Sequence, residues 1–204
     1  APRVVVRWRL HEPFGEATLE VRPFLAARDH HALCHENDAF RRTADARGEV
    51  VRWHLDEESP AIVSTSNGRY KHDPLWYRNF LYVEEEARGL DCVEDLLSPG
   101  TLRFDLARRE AIWILATPEA ALASPDEAED LVARERRRRD AHPTRLHRAA
   151  DDYLVRRGSG RTVIAGYPWF TDWGRDTFIA MRGLCLATGR LDDARDILVE
   201  WAGA

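Results

Sequence analysis

The sequence changes character near Thr117, and this change constrains the fold more than any other feature of the chain. Before Thr117, short runs of β-branched and apolar residues recur between turn residues, a pattern that is typical of antiparallel strands. After Thr117, longer segments follow that carry the start and stop residues of helices. We therefore predict a β domain at the beginning of the chain, then a linker, and then the opening of an α-helical domain.

The strand signals of the first half recur at regular spacing, which is typical of an antiparallel β-sandwich. The predicted strands lie within residues 3–10, 17–25, 49–55, 61–72, 101–106 and 110–117. The Ser-Asn-Gly run at 66–68 predicts a tight turn. Residues 74–99 are interpreted as an insertion, and residues 79–90 inside it as a strand followed by a short helical turn.

Four helices are predicted in the second half, at residues 124–142, 144–158, 172–189 and 190–204, with an extended stretch at 160–170. The first has the clearest signals, because Ser124 can cap it, Pro125 suits its first turn, and its acids precede its arginines. We predict a β-sandwich domain at 1–118, a linker helix at 119–142 and a helical domain at 143–204.

Charge and composition exclude several classes of partner. The chain has a net charge of -5 over 204 residues, which provides no general attraction for nucleic acid or for anionic membranes. The arginine-rich run at 134–142 follows acidic residues on the same predicted helix and is interpreted as a solvated helix face. No apolar run is long enough to span a bilayer. We expect neither nucleic acid nor membrane as a partner, and the oligomeric state stays open.

The cysteines and histidines indicate no metal site. Three widely spaced cysteines, Cys34, Cys92 and Cys185, form no disulfide framework and favour a reducing compartment, so a cytoplasmic location is predicted. His30, His31, Cys34 and His35 cluster in one segment, and His31 and His35 would lie one turn apart on a helix and could share a metal, but a polar strand end explains the cluster better. Neither a metal nor a cofactor is predicted.

Residues 166–178, GYPWFTDWGRDTF, combine aromatic rings with fixed charges. If Thr171 or Asp172 caps the following helix, then residues 173–176 form its first turn, where free N–H groups favour an acid. Sugar rings stack on aromatic faces and need charged hydrogen-bonding partners for their hydroxyl groups. The alternative is a helix start packed on a sheet, with Asp172 as the cap and Arg175 in an ion pair. Composition alone favours neither interpretation.

Longer stretches resemble one family. Residues 164–190, IAGYPWFTDWGRDTFIAMRGLCLATGR, together with 19–33 and 77–106, resemble the bacterial and archaeal glycogen debranching enzymes, the amylo-α-1,6-glucosidase family. The resemblance implies an N-terminal β-sandwich followed by an (α/α)6 barrel that begins in 143–204. The chain starts with Ala1-Pro2 and not with Met, and we expect it to be a fragment that holds part of the sandwich and the first barrel helices.

The resemblance also implies an activity and a set of site residues. The family hydrolyses α-1,6-linked glucose at the branch points of glycogen without a cofactor. More distantly, the motif is similar to the Trp-x-Arg-Asp motif of glucoamylase-like enzymes. Arg175 and Asp176 would then hold the terminal glucose beside Trp173. The pocket wall and the remaining substrate contacts would come from Trp169, Phe170 and Asp172.

Barrel glycosidases of this kind invert the anomeric centre with two carboxylates that lie later in the barrel. The resemblance therefore implies no catalytic residue within this chain, which we expect to be inactive by itself, and a general acid role for Asp176 is the second choice. Two alternatives stay open. One is a noncatalytic protein that binds α-glucans, and the other is a glucoamylase-like glycosidase that acts on linear α-glucans.

Overall fold

A computed structural model describes residues 3–12, 14–29, 31–118, 120, 122–167 and 170–203. The chain forms two compact units, residues 1–133 and 134–204. The first unit is mostly antiparallel β-sheet, and helices become frequent in the second. This order confirms the predicted succession of a β domain and helices. No helix in the described part of the chain is long and apolar enough to cross a membrane.

Two antiparallel sheets build the first unit. Its strands are β1 Arg3–Trp8, β2 Thr18–Val21, β3 Ala44–Arg47, β4 Val50–Trp53, β5 Ile62–Ser66, β6 Arg69–Leu81, β7 Val93–Asp105 and β8 Ala111–Ala116. One sheet has the order β1-β8-β5-β4-β3, and the other has the order β2-β7-β6.

The two sheets share one hydrophobic core. Trp53 of β4 and Trp113 of β8 pack in the same cluster as Leu97, Leu102 and Phe104 of β7. Their indole N–H groups do not stay unpaired, because that of Trp113 donates to Ser64 Oγ at 2.7 Å and that of Trp53 donates to the Tyr70 hydroxyl at 3.3 Å. Two sheets that bury their inner faces against each other are consistent with the predicted β-sandwich.

The interpretation of residues 74–99 as an insertion was wrong. These residues form most of a long hairpin in which β6 pairs with β7, and the helical turn α1, Val83–Ala87, lies between the two strands. The register shifts between His72 and Leu75 and between Tyr77 and Phe80. Pro74 and Asn79 lie within these shifts, so the strand accommodates residues that otherwise disfavour a regular ladder.

The predicted turn at 66–68 exists, but it does not close a hairpin. It carries the chain from β5 in one sheet to β6 in the other. Gly68 suits this crossing because a Cβ there would lie only 2.6 Å from the ring of Phe104. The turn residues therefore serve the packing of two sheets.

The helix between the two halves begins where the sequence predicts. Ser124 accepts a hydrogen bond from Asp126 N, and its own N–H donates to the side chain of Glu127, which completes a capping box. A 3-10 turn, Pro125–Glu127, leads into α2, Ala128–Asp140. The division between the two units falls inside this helix.

The second unit combines helices with a small sheet. Its elements are α3 Arg145–Tyr153, β9 Leu154–Arg157, β10 Gly160–Gly166, β11 Phe170–Asp172, α4 Gly174–Met181 and α5 Leu191–Ala202. The sheet has the order β11-β10-β9, and α4 continues into a π-helical segment, Arg182–Leu186. The core contains Val163 of β10, Cys185 and Ile197 of α5. The predicted helix 144–158 was too long, because residues 154–157 pair with β10 as a strand.

Candidate functional site

The aromatic motif lies where β11 passes into α4. β11 pairs with β10 through Asp172 opposite Ile164 and Phe170 opposite Gly166. The prediction that Thr171 or Asp172 caps the helix was wrong, because Asp172 belongs to the strand and Trp173 occupies the N-cap position without a side-chain cap. The first helical hydrogen bond runs from Thr177 N to Trp173 O, at 2.8 Å.

Two aromatic rings are exposed at this junction. Phe170 and Trp173 are 54% and 53% exposed, and their rings lie edge to face with centroids 6.5 Å apart. Exposed large rings in contact with each other are typical of binding surfaces, because their contact with water is unfavourable. The predicted contact residue Trp169 lies outside the described residues. The structure therefore brings two of the three predicted rings together.

Two charged residues, Arg175 and Asp176, follow Trp173 in the first turn of α4. Arg175 is exposed, and its Nε lies 3.7 Å from Asp176 Oδ2, which is too far for a hydrogen bond. Within the described part of the chain, Asp176 Oδ2 is buried and has no hydrogen-bond partner. The Asp176 side chain as a whole is 40% exposed, so its carboxylate can accept a hydrogen bond from a ligand hydroxyl.

Asp176 also lines a cavity of about 450 Å³. The other described lining residues are Tyr153, Val163, Ile164, Ala165, Ile179, Ala180, Gly183 and Leu184. Among the described residues that line this cavity, Asp176 is the one carboxylate. A mostly apolar cavity with a few polar groups that can fix orientation is typical of a small-molecule site.

Sequence reasoning missed a tyrosine pair beside the cavity. The rings of Tyr153 and Tyr167 are 5.5 Å apart, and the Tyr167 hydroxyl donates to the backbone oxygen of Asp152 at 2.9 Å. Burial raises the pKa of Tyr167, and the charge of Asp152 adds to this effect. The phenol therefore stays protonated and keeps its hydrogen bond at neutral pH. Tyr167 belongs to the aromatic motif, but nothing in the sequence linked Tyr153 to it.

The second acid of the motif has a different environment. Asp172 Oδ2 lies 3.4 Å from Arg157 Nη1, and the Arg157 guanidinium lies over the indole of Trp201 at 3.9 Å from the ring centroid. Both carboxylates therefore lie near an arginine, but Asp172 pairs with Arg157 of β9, whereas Asp176 lies near Arg175 of its own turn and lines the cavity. The family resemblance assigned different contacts to the two carboxylates, but nothing in the sequence linked Asp172 to Arg157.

The described histidines of residues 28–37 belong to the first unit, whereas the aromatic motif belongs to the second. His30 lies outside the described residues, and His31, Cys34 and His35 belong to the first unit. Among the residues that the structure describes, no group of three or more metal-binding side chains occurs.

Comparisons with known proteins agree with the two halves of the chain. A family model described as "Glycogen debranching enzyme N terminal" matches residues 1–113, and one described as "Amylo-alpha-1,6-glucosidase" matches residues 148–204. No solved structure matches the chain. The first match alone covers more than half of the 204 residues and the second contains the aromatic motif, so the chain belongs to the glycogen debranching enzyme family, the family of amylo-α-1,6-glucosidases.

Proposed function

We propose that the junction between β11 and α4 binds the terminal α-1,6-linked glucose at a branch point of glycogen or a related glucan. The observation that carries this proposal is that the Asp176 carboxylate lines an apolar cavity and follows the exposed rings of Phe170 and Trp173 closely in the chain. Family membership supports a debranching function and a branched α-glucan as the substrate.

Each side chain has a role that follows from its chemistry. Asp176 accepts hydrogen bonds from glucose hydroxyl groups, and the exposed guanidinium of Arg175 donates to neighbouring hydroxyl oxygens. Trp173 and Phe170 provide apolar faces for the C–H groups of the sugar ring. Trp169, the next aromatic residue before β11, completes the pocket wall in this proposal.

The proposed reaction is hydrolysis with inversion by water. Inverting glycosidases place a general acid and a general base about 6.5–9.5 Å apart, with the attacking water between the base and the sugar. Because Asp176 is the one carboxylate among the described cavity residues, we assign it to sugar binding, and its role as the general acid remains the alternative. In this proposal the acid and base come from other parts of a longer (α/α)6 barrel protein, and this chain binds the sugar without hydrolysing it.

The proposed domain layout follows the same reasoning. Residues 1–118 form the β-sandwich, 119–142 the linker helix and 143–204 the start of the barrel. The shared core of the two sheets supports the first assignment. The capped helix α2, which spans the division between the two compact units, supports the second.

Hydrolysis can be tested by proton NMR on the longer protein, with a maltooligosaccharide that carries one α-1,6-linked glucosyl branch. Early appearance of β-glucose would support inverting branch-point hydrolysis. Early α-glucose would contradict the inverting mechanism, and cleavage of linear chains alone would indicate a glucoamylase-like activity. The same substrate added to this chain should bind without glucose release, and release would return Asp176 to consideration as a catalytic acid.

A noncatalytic α-glucan-binding function is the second candidate. The presence of a single carboxylate among the described cavity residues favours it. This candidate predicts that the longer protein also binds the branched oligosaccharide and releases no glucose. The NMR experiment therefore separates the two functions.

A further inference from the structure

We propose that Arg157 is the positioning residue of this site, and that Asp172 serves as its partner and does not bind the sugar. Arg157 lies between the carboxylate of Asp172 and the indole of Trp201. In this way it fixes the end of β11, from which the chain continues directly into the turn that carries Arg175 and Asp176. This inference rests on the proposed function, because it assigns how the same site is held in shape.

The contact between Arg157 and Asp172 brings two opposite charges together. Arg157 Nη1 and Asp172 Oδ2 are buried atoms, and neither has a hydrogen-bond partner among the described residues. Their separation is 3.4 Å, and the two side chains are 32% and 26% exposed. Since the pair is partly shielded from water, each charge favours the position of the other. A carboxylate that is occupied in this way is a poor acceptor for a sugar hydroxyl.

Trp201 provides a rigid surface for the guanidinium. Its indole N–H donates to Thr162 Oγ1 at 3.1 Å, and Thr162 is buried in β10. The ring also meets Phe178 of α4 edge to face, with centroids 5.9 Å apart. A guanidinium over an indole gains cation–π attraction in addition to the ion pair. The plane of Arg157 is therefore fixed by both neighbours.

The same indole lies against the first residue of α4. A Cβ at Gly174 would lie 3.3 Å from the ring of Trp201, so the helix backbone approaches the ring closely. One side chain of α5 thus contacts the first turn of α4 and, through Arg157, the last residue of β11. The direction in which α4 leaves the sheet depends on this contact.

The end of α5 is attached to the turn that precedes β10. Gly160 N donates to Glu200 Oε2 at 2.9 Å. Gly158 has φ +51°, and a Cβ there would lie 2.3 Å from Glu200 Oε1. Arg157 is the last residue of β9, directly before this turn. Its backbone is therefore held at the point from which its side chain reaches Asp172.

The test is the affinity of Arg157→Ala for the branched maltooligosaccharide, measured by calorimetry with and without added ethylguanidinium. We expect a loss of affinity on the order of ten- to a hundredfold, because small displacements of binding groups are costly. Ethylguanidinium should restore part of the affinity, since it can occupy the space between Asp172 and Trp201. The double variant Arg157→Ala/Asp172→Asn should not respond to it.

Arg161→Ala is the matched control. Arg161 belongs to the same sheet and pairs with Asp193 at 2.9 Å, and we expect its removal to leave the affinity unchanged. Wild-type affinity in Arg157→Ala would overturn the proposal. A second outcome would also overturn the proposal: the affinity and the melting temperature both fall, and ethylguanidinium does not restore the affinity. That result would show that Arg157 has a structural role only.

A separate readout distinguishes this proposal from the proposed function. The indole NMR signal of Trp173, assigned with Trp173→Phe, should move in Arg157→Ala and return when ethylguanidinium is added. If the wild-type protein binds no glucan but the Trp173 signal behaves in this way, the function is wrong and the positioning role stands. An unchanged Trp173 signal overturns the positioning role.

Discussion

Replacement of Arg28 with methionine should destabilise the first unit by about 3 kcal/mol at neutral pH. The carboxylate of Glu94 on β7 is fully buried, and Arg28 is its charge partner. Arg28 Nη2 donates to Glu94 Oε2 at 2.8 Å, and Arg28 Nε, the Tyr82 hydroxyl and Cys34 N donate to the same carboxylate. Methionine retains the length of the side chain but leaves Glu94 without a counter-charge.

The magnitude follows from the burial of the pair. Loss of one partner from a buried ion pair costs about 3–5 kcal/mol, and the lower value applies because the Arg28 side chain is 22% exposed. Burial alone would raise the pKa of Glu94, but the hydrogen bonds from Arg28 and Tyr82 lower it below its usual 4.5. The stabilisation by Glu94 is therefore present above about pH 4.5 and is lost as the pH falls through the lowered pKa.

In Arg28→Met the contribution of the ionised Glu94 carboxylate to stability changes from favourable to unfavourable. Burial is then no longer offset by the guanidinium, so we expect the pKa of Glu94 to rise above its usual value. The difference in free energy of unfolding between wild type and variant should therefore begin to shrink as the pH falls through the raised pKa of Glu94 in the variant, and it should continue to shrink until the pH reaches the lowered pKa in the wild type.

Urea unfolding followed by circular dichroism at several pH values measures this difference, and hydrogen exchange of the β7 amides assigns it to the first unit. Arg41→Met is the matched control, because Arg41 and Glu57 form an exposed pair that should contribute less than about 1 kcal/mol. A cost that does not vary with pH, or one equal to that of the control, would refute the reasoning.

Three further predictions concern stability. Leu102→Ala removes a fully buried β7 side chain and should cost about 2–5 kcal/mol in urea unfolding, and a smaller cost would show that the core collapses around the change. Gly100→Ala should destabilise the protein strongly, because the new Cβ would lie 2.2 Å from Lys71 O. Gly183→Ala is the control, because its Cβ meets open space, and its stability should lie within about 1 kcal/mol of wild type. Equal melting temperatures of the two variants would contradict the packing argument. The hydrogen bonds from Arg138 and then from Arg139 lower the pKa of Glu135 to about 2. The contribution of Glu135 to stability should therefore persist at pH 4.5 and decline as the pH falls towards 2. A decline that is complete above pH 4 in acid unfolding would contradict the pairing.

Sequence signals predicted the parts of the fold that depend on neighbours along the chain. The capping box of α2 lies within four residues, and both its donors and its acceptors can be read from Ser124 and Glu127. The third predicted helix ends at Gly189, whose φ of +73° follows from the conformational freedom of glycine in the same way. Such features need no knowledge of the tertiary structure.

The features that sequence reasoning missed depend on pairing between distant segments. Residues 154–157 form a strand because they pair with β10, which local propensity does not show. Asp172 leaves the N-cap position because β11 pairs with β10 at this residue. In the candidate site, the contiguous motif identified Trp173, Arg175 and Asp176 as neighbours. The contributions of Arg157 and Trp201 come from other elements and emerge only from packing.

The most direct test of the account is a calorimetric titration of this protein with a maltooligosaccharide that carries one α-1,6-linked glucosyl branch, for wild type and Asp176→Asn. If the Asp176 carboxylate in the cavity binds glucose hydroxyl groups, the wild type binds and the variant loses about ten- to a hundredfold in affinity at an unchanged melting temperature, since hydrogen bonds to charged groups contribute about 1.5–3 kcal/mol. Asp192→Asn, which alters an exposed acid of α5, should bind like wild type. Equal affinity in Asp176→Asn, or no binding by the wild type, would contradict the assignment of this junction as the glucose site.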